Sequence, residues 1–321
     1  MSGTAVVLVD GEVLANQQRP MIKAQRENAK KLAQGLLPLF ASETHVVVLH
    51  GNKPQVGFVL FRSELASHIL HSIPLDVCGA DTQGATGFML SQAFTNVLKQ
   101  ASVSRRVMCV VTQTRVDNSH AVSQRVRAIG PWFDREKAEQ HRQARGWTMV
   151  EEPGRGYRRA VPSLPALEIL EFESIKQLVD SGAVVIAGGG GGIPVIENEM
   201  GDYEGIEAVL DTDQVAVLMA GGMKANVMLS VIESDRKFAL SGMFTEHKNW
   251  LSLEQLDEIL ERETFNSNTV NNKLRAASEF LHAGGEQVVI TTLRKLPETM
   301  LNKNGLWIGS QDPSVELFKF R

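Results

Sequence analysis

Cysteine is nearly absent: Cys78 and Cys109 are the only two in 321 residues, too few for a disulfide framework or a cysteine-based metal site. Both are expected as small buried hydrophobes. Charge of one sign is lacking as well. Lys and Arg total 33 against 37 Asp and Glu, a net charge of −4 with no basic block, which excludes a nucleic-acid footprint and a membrane-surface helix. No apolar run reaches the roughly 20 residues that cross a bilayer. The opening "MSGTAVVLVDGEVL" enters a strand without a charged leader and cleavage site, so a cytoplasmic location is expected. The eight histidines show no ligand spacing, and there is no internal repeat. What the chain has in plenty is core: 43% of its residues are hydrophobic, enough for one large α/β domain or two ordinary ones.

That core is patterned. "AVVLV", "HVVVLH", "RRVMCVVTQ", "GAVVIAGG", "ANVMLSVI" and "EQVVITT" are short β-rich runs. They alternate with helical spacings such as "SIKQLVDSG" and "NKLRAASEFLHAGG", and Gly182 and Gly284 stand where helices end. Uninterrupted apolar strands between helices predict an open, mostly parallel sheet covered on both faces. From about Val116 to Ser163 the chain turns polar, basic and Gly/Pro-punctuated, as an inserted lobe or lid would.

Ligands of parallel sheets bind beyond the carboxyl ends of the strands. Four strand exits stand out: "LVDGE" at Leu8 to Glu12, "LHGNKPQVG" at Leu49 to Gly57, the five-glycine run Gly188 to Gly192, and "AVLDTD" ending at Asp213. Five glycines are costly to order and imply backbone that must approach something closely, phosphate first among candidates and a tight turn about as good a reading. The spacing matches neither a Walker loop, which needs Gly-Lys-Ser/Thr, nor a dinucleotide fingerprint.

"HGNKPQVG", "PLDVCGADTQGATGFML", "VVTQTRVD", "AIGPWF", "GRGYRRAVPS", "VVIAGGGGGIPVI" and "EAVLDTD" occur in this order, and together they closely resemble the carbamate kinases of the amino-acid kinase fold, from Ala5 to about Gly309. The resemblance implies a single domain over 1–321, an α/β three-layer αβα sandwich, with the protruding subdomain at 116–163. It also implies a homodimer, with no nucleic-acid or membrane partner, and phosphoryl transfer between ATP and carbamate, or from carbamoyl phosphate to ADP, with Mg2+ on the nucleotide. No metal held by the protein itself is expected.

Carried over residue by residue, the family's motifs are kept unevenly. Its Gly-Gly-Asn turn falls on Asp10-Gly11-Glu12, and its Gly-Asn-Gly-Pro-Gln loop on Gly51 to Gln55, with Lys53 in place of the middle glycine. The lobe lysine falls on Arg127, and the Asp-Lys-Asp turn on Asp211-Thr212-Asp213. The last motif retains Lys273, with Val270 inside it, and the Thr-Asp-x-Asp segment becomes Ile232-Glu233-Ser234-Asp235. The catalytic candidates are therefore Lys273, Arg127 and Asp213. Gly11, Gly51, Asn52, Gly189, Gly190 and Gly191 are expected at the substrate and phosphate, and Asp211, Glu233, Asp235 and Val270 at the nucleotide. Asp10, Glu12, Lys53 and Thr212 are the altered positions. Losing one preorganised cation or donor at a transition state lowers the rate about a hundred- to thousand-fold, so a weakened kinase is expected, the alternative being a non-catalytic paralogue that binds or regulates. Residue by residue, other readings stand beside these: Asp213 as a helix cap, Lys273 as a solvated lysine, His50 as a packed strand end, and Arg155, Arg158 and Arg159 as residues that fold the lobe. Asp10 and Lys53 are expected either to pair across the pocket and close it or to swing into solvent.

Overall fold

The computed structural model describes residues 3–15, 21–119, 126–152, 154–234, 249–262 and 268–309. The first half runs β1 (Thr4–Val9), α1 (Gly11–Leu14), α2 (Ile22–Ala41), β2 (His45–His50), α3 (Lys53–Ala66), α4 (Leu75–Gln100), β3 (Val107–Cys109) and β4 (Gln113–Val116). The middle holds β5 (Val126–Phe133), α5 (Arg135–Arg145), β6 (Thr148–Glu152), β7 (Gly156–Pro162), β8 (Ala166–Ile169), α6 (Phe172–Asp180), β9 (Val184–Ile186), β10 (Ile193–Glu197) and β11 (Tyr203–Gly205). The remainder is α7 (Thr212–Met223), β12 (Val227–Ile232), β13 (Asn249–Leu251), α8 (Leu253–Arg262), α9 (Asn268–His282), β14 (Gln287–Thr292), α10 (Leu296–Thr299) and β15 (Leu306–Gly309).

Eight strands form the main sheet in the order β13-β15-β14-β12-β1-β2-β9-β3. Its pairings are parallel except β14 with β15. The alternation along β1 shows why the sheet has two covered faces. Val6 and Leu8 join a core with Val215 and Met219 of α7 and Leu274 and Phe280 of α9, whereas Val7 and Val9 join one with Leu32, Leu36 and Phe40 of α2 and Leu90 and Phe94 of α4. Each such side chain taken fully from water contributes roughly 1.5–3 kcal/mol, so a one-residue slip of β1 would be opposed on both faces. The fold is thus an α/β three-layer sandwich around a mostly parallel sheet.

A second sheet, β11-β10-β4-β8, continues beyond the strand ends. "RRVMCVVTQ", read as one strand, is two: β3 stops at Cys109 because Gln83 of α4 takes over the backbone of Thr112, accepting from its N–H at 2.8 Å and donating to its carbonyl at 3.0 Å. Cys78 is buried, but Cys109 is exposed, against expectation, because β3 is an edge strand.

Between β4 and β8 the chain builds an antiparallel sheet of its own, β5-β7-β6, with α5 packed on Phe133 and Met149. Asp134 caps α5 by accepting from the Lys137 N–H at 2.8 Å, and Gly146 ends it at φ 65°. This lobe is fastened to the body by Arg145 to Glu64 at 2.9 Å and by Arg159 to Glu207. Arg155 and Arg158 lie over the Trp132 ring. Among the described residues no helix is long and apolar enough to cross a membrane.

Candidate functional site

The exits of β1, β2, β9 and β12 lie side by side because those strands are neighbours in the sheet. At the first two, backbone meets backbone: a Cβ on Gly11 would stand 2.9 Å from the Gly51 carbonyl carbon. The two turns touch, and glycine at both positions is what permits it. Gln55 adds a bond of 3.3 Å to the Gly11 carbonyl, and Asn52 donates to the Thr82 hydroxyl at 2.8 Å.

The glycine run follows β9, with Gly188, Gly190, Gly191 and Gly192 all at positive φ. Its neighbours press inward. A Cβ on Gly189 would lie 2.6 Å from His50 Nε2 and one on Gly191 2.7 Å from Leu210 Cβ, while one on Gly190 or Gly192 would overlap the Asn52 or Thr114 side chain. The Thr112 hydroxyl accepts from the Gly188 N–H at 2.9 Å and Thr114 donates to the Gly191 carbonyl at 2.8 Å. The run is therefore a rigid, internally packed turn, and only Gly190 and Gly192 reach the wall of the adjoining cavity. His50, packed beneath it, is a strand-end residue; burial pulls its imidazole down to about 4, so it is neutral at pH 7.

At the head of α7, Asp211 is the cap, accepting from the Asp213 N–H at 3.0 Å, so of the two readings of Asp213 the capping one fails and its side chain instead meets Lys273. Its Oδ1 lies 2.9 Å from Lys273 Nζ, and Asp10 Oδ1 lies 2.7 Å from the same ammonium. Lys273, on the buried side of α9, is only 2% exposed, which overturns the reading of it as a solvated lysine. Burial alone would lower its pKa, but the two carboxylates outweigh that and hold it above the ordinary lysine value. Burial pushes the Asp213 carboxyl up against the pull of Lys273, with the Asp10 and Asp211 charges adding to the rise.

Asp10 thus has a partner other than the one expected. Lys53 is the first residue of α3, its side chain is exposed, and among the described residues no ion pair includes it. The Asp10–Lys53 bridge is absent because the buried ammonium of Lys273 holds Asp10. A second cation is tied in the same manner: Arg127 of β5 pairs with Asp211, which also accepts from the Asn272 amide. This contact joins the lobe to the body at the mouth of the site.

The cavity has a volume of about 630 Å³. Glu12, Asn52, Lys53, Arg127, Gly190, Thr212 and Glu233 line its polar side, and Phe58, Phe61, Ile129 and Trp132 its apolar side. Gly11, Gly51, Gly189, Gly191, Asp213 and Lys273 lie behind the wall, Val270 is fully buried in the core, and Asp235 falls outside the described residues. Sequence reasoning missed the aromatic wall, although Trp132 sits in the "AIGPWF" segment. Among the described residues no group of three His, Cys, Asp or Glu could hold a metal, and the two carboxylates that converge do so on an ammonium. The side chains do not fit a resident metal ion.

Comparison with known proteins gives one consistent result. The description "Amino acid kinase family" matches residues 3–292. A carbamate kinase of Pyrococcus horikoshii is 34% identical, covering 95% of this chain and 98% of its own. The carbamate kinase-like protein YahI of Escherichia coli is 33% identical over 96% and 99%. The structure of carbamate kinase from Giardia lamblia bound to AMP-PNP superposes with a TM-score of 0.84 at 27% identity, covering 97% of this chain and 99% of that one.

Proposed function

Because the chain belongs to the amino acid kinase family, with carbamate kinases as its full-length relatives, we propose that it binds carbamoyl phosphate and a nucleotide in this cleft and transfers the phosphoryl group slowly. The observation that carries the reading is the clamp on Lys273. Phosphoryl transfer is accelerated by preorganised cations around an in-line transition state. Here the ammonium of Lys273 is neutralised by Asp10 and Asp213, the guanidinium of Arg127 by Asp211, and Thr212 brings no charge. A phosphate that sought these cations would have to displace carboxylates already in hydrogen-bond contact.

Three features support retained binding. The cavity is far larger than carbamoyl phosphate, Asn52, Gly190 and Gly192 stand at its wall, and the hydrogen bonds that support the glycine run are in place. Magnesium would enter as the counter-ion of the nucleotide phosphates, supplying charge neutralisation there, and no step is assigned to a metal site of the protein.

The test is ATP formation from ADP and carbamoyl phosphate by the purified chain, with calorimetric titration of both ligands. The expected result is measurable binding with turnover at least a hundred-fold below the roughly 1–100 per second of ordinary kinases. Turnover within that range defeats the proposal of slow transfer. Binding with no turnover at all assigns the cleft to a non-catalytic binding or regulatory role.

A further inference from the structure

We propose that Lys53 anchors the dianionic phosphoryl group of the ligand in this cleft, supplying the cation that Thr212 does not. The assignment rests on reading the cleft as a phosphoryl-binding site, and it follows from where each cation of the region spends its charge. Lys273 is held by two carboxylates and Arg127 by one. Arg158 donates from Nε to the Gly130 carbonyl at 3.1 Å and lies over the Trp132 ring. Lys53 differs from all of them. It lines the cavity beside Asn52, Gly190 and Thr212, is exposed, and among the described residues its ammonium has no carboxylate partner.

The difference matters because a neutralised cation must lose its partner before it can gain a phosphate, whereas an unpaired ammonium offers its whole charge. A lysine is suited to this duty, since its four-carbon stem lets a compact ammonium reach into the cavity from the first residue of α3. Gly190 and Thr212 line the same cavity as Lys53, and the anchored group would sit against these residues. Positions 53 and 212 then form a pair, a lysine and an uncharged threonine that line one cavity.

The experiment is calorimetric titration of the full chain with carbamoyl phosphate and, separately, with inorganic phosphate. Wild type is compared with Lys53→Met and with Lys53→Gly combined with Thr212→Lys. Loss of a charge-assisted contact predicts affinity about ten-fold or more weaker for both probes in Lys53→Met. The double variant is expected to regain wild-type affinity to within a few-fold. Position 53 is the exposed first residue of its helix, and an unchanged thermal midpoint for Lys53→Met checks that folding is intact. Equal affinity of Lys53→Met and wild type overturns the assignment, as does wild type that binds neither probe, or a double variant with no regain. The two readings fail separately. Lys53-dependent binding without ATP formation leaves the anchor standing and ends the kinase. ATP formation with unchanged KM in Lys53→Met leaves the kinase standing and ends the anchor.

Discussion

Replacing Lys273 with methionine probes the centre of the site, because it removes the charge while nearly conserving the volume. In the native protein an ammonium that is 2% exposed lies 2.7 Å from Asp10 and 2.9 Å from Asp213. Lys273→Met leaves two carboxylates turned toward each other with no cation between them. Breaking a buried pair by removing one partner costs about 3–5 kcal/mol, against which the added apolar contact is small. The loss should depend on pH, and its sign follows from linkage. Burial and mutual repulsion already raise the Asp213 carboxyl, and without the lysine they raise it further, so the folded variant binds more protons than the unfolded chain. Its stability therefore increases as pH falls from 8 towards the raised carboxyl value. In the wild-type protein the pull of Lys273 opposes that rise, so the same dependence is weaker there. Its Lys273 is raised, so the lysine's contribution is complete below the ordinary lysine value of about 10.4 and is lost only as pH climbs through the folded value above it. Urea unfolding followed by circular dichroism at pH 5 and pH 8 measures both effects. Adding Asp10→Asn and Asp213→Asn to Lys273→Met should recover most of the loss, since a neutral cluster leaves no charge unpaired. A loss below about 1 kcal/mol, or one equal at the two pH values, would refute the claim that this triad is a closed, desolvated unit.

Asp10→Gly should leave Lys273 with a single carboxylate and tighten carbamoyl phosphate binding about ten-fold, as read by calorimetry; unchanged affinity would show that the clamp does not limit binding. Gly192→Ala should destabilise the protein by more than about 1–3 kcal/mol in thermal or urea unfolding, because position 192 has φ 94° and the new methyl would overlap the Thr114 side chain; a shift of a few tenths would contradict the packed-turn account. Phe88 of α4 is 54% exposed, and Met108 and Val111 at the β3 edge are 41% and 52% exposed, so a homodimer covering such side chains is the expected assembly. Sedimentation at micromolar concentration should give twice the mass of the chain, and a strictly monomeric mass would exclude it.

The parallel sheet and its two covered faces were legible in the order of residues because hydrophobic periodicity is a local property: the run "AVVLV" is apolar at every position, as only a strand buried on both sides requires. The strand exits were legible for the same reason, since glycine and aspartate at the end of an apolar run mark a turn wherever the turn leads. The order of motifs also marked positions 10, 53 and 212 as departures. What it could not reveal is which charge meets which, because that depends on distances between residues 60 to 263 positions apart in the chain. Asp10 and Lys53 lie on adjacent turns and invited pairing, yet α9 brings Lys273 within 2.7 Å of Asp10, and a buried ammonium left without a carboxylate costs more than an exposed lysine left in water. Asp213 read equally well as a cap until Asp211 took that duty and left its carboxylate free to turn inward. The five glycines announced close approach, but only the tertiary structure decided that His50, Asn52, Thr114 and Leu210 fill most of the space their missing side chains vacate, and that two of the five face the cavity.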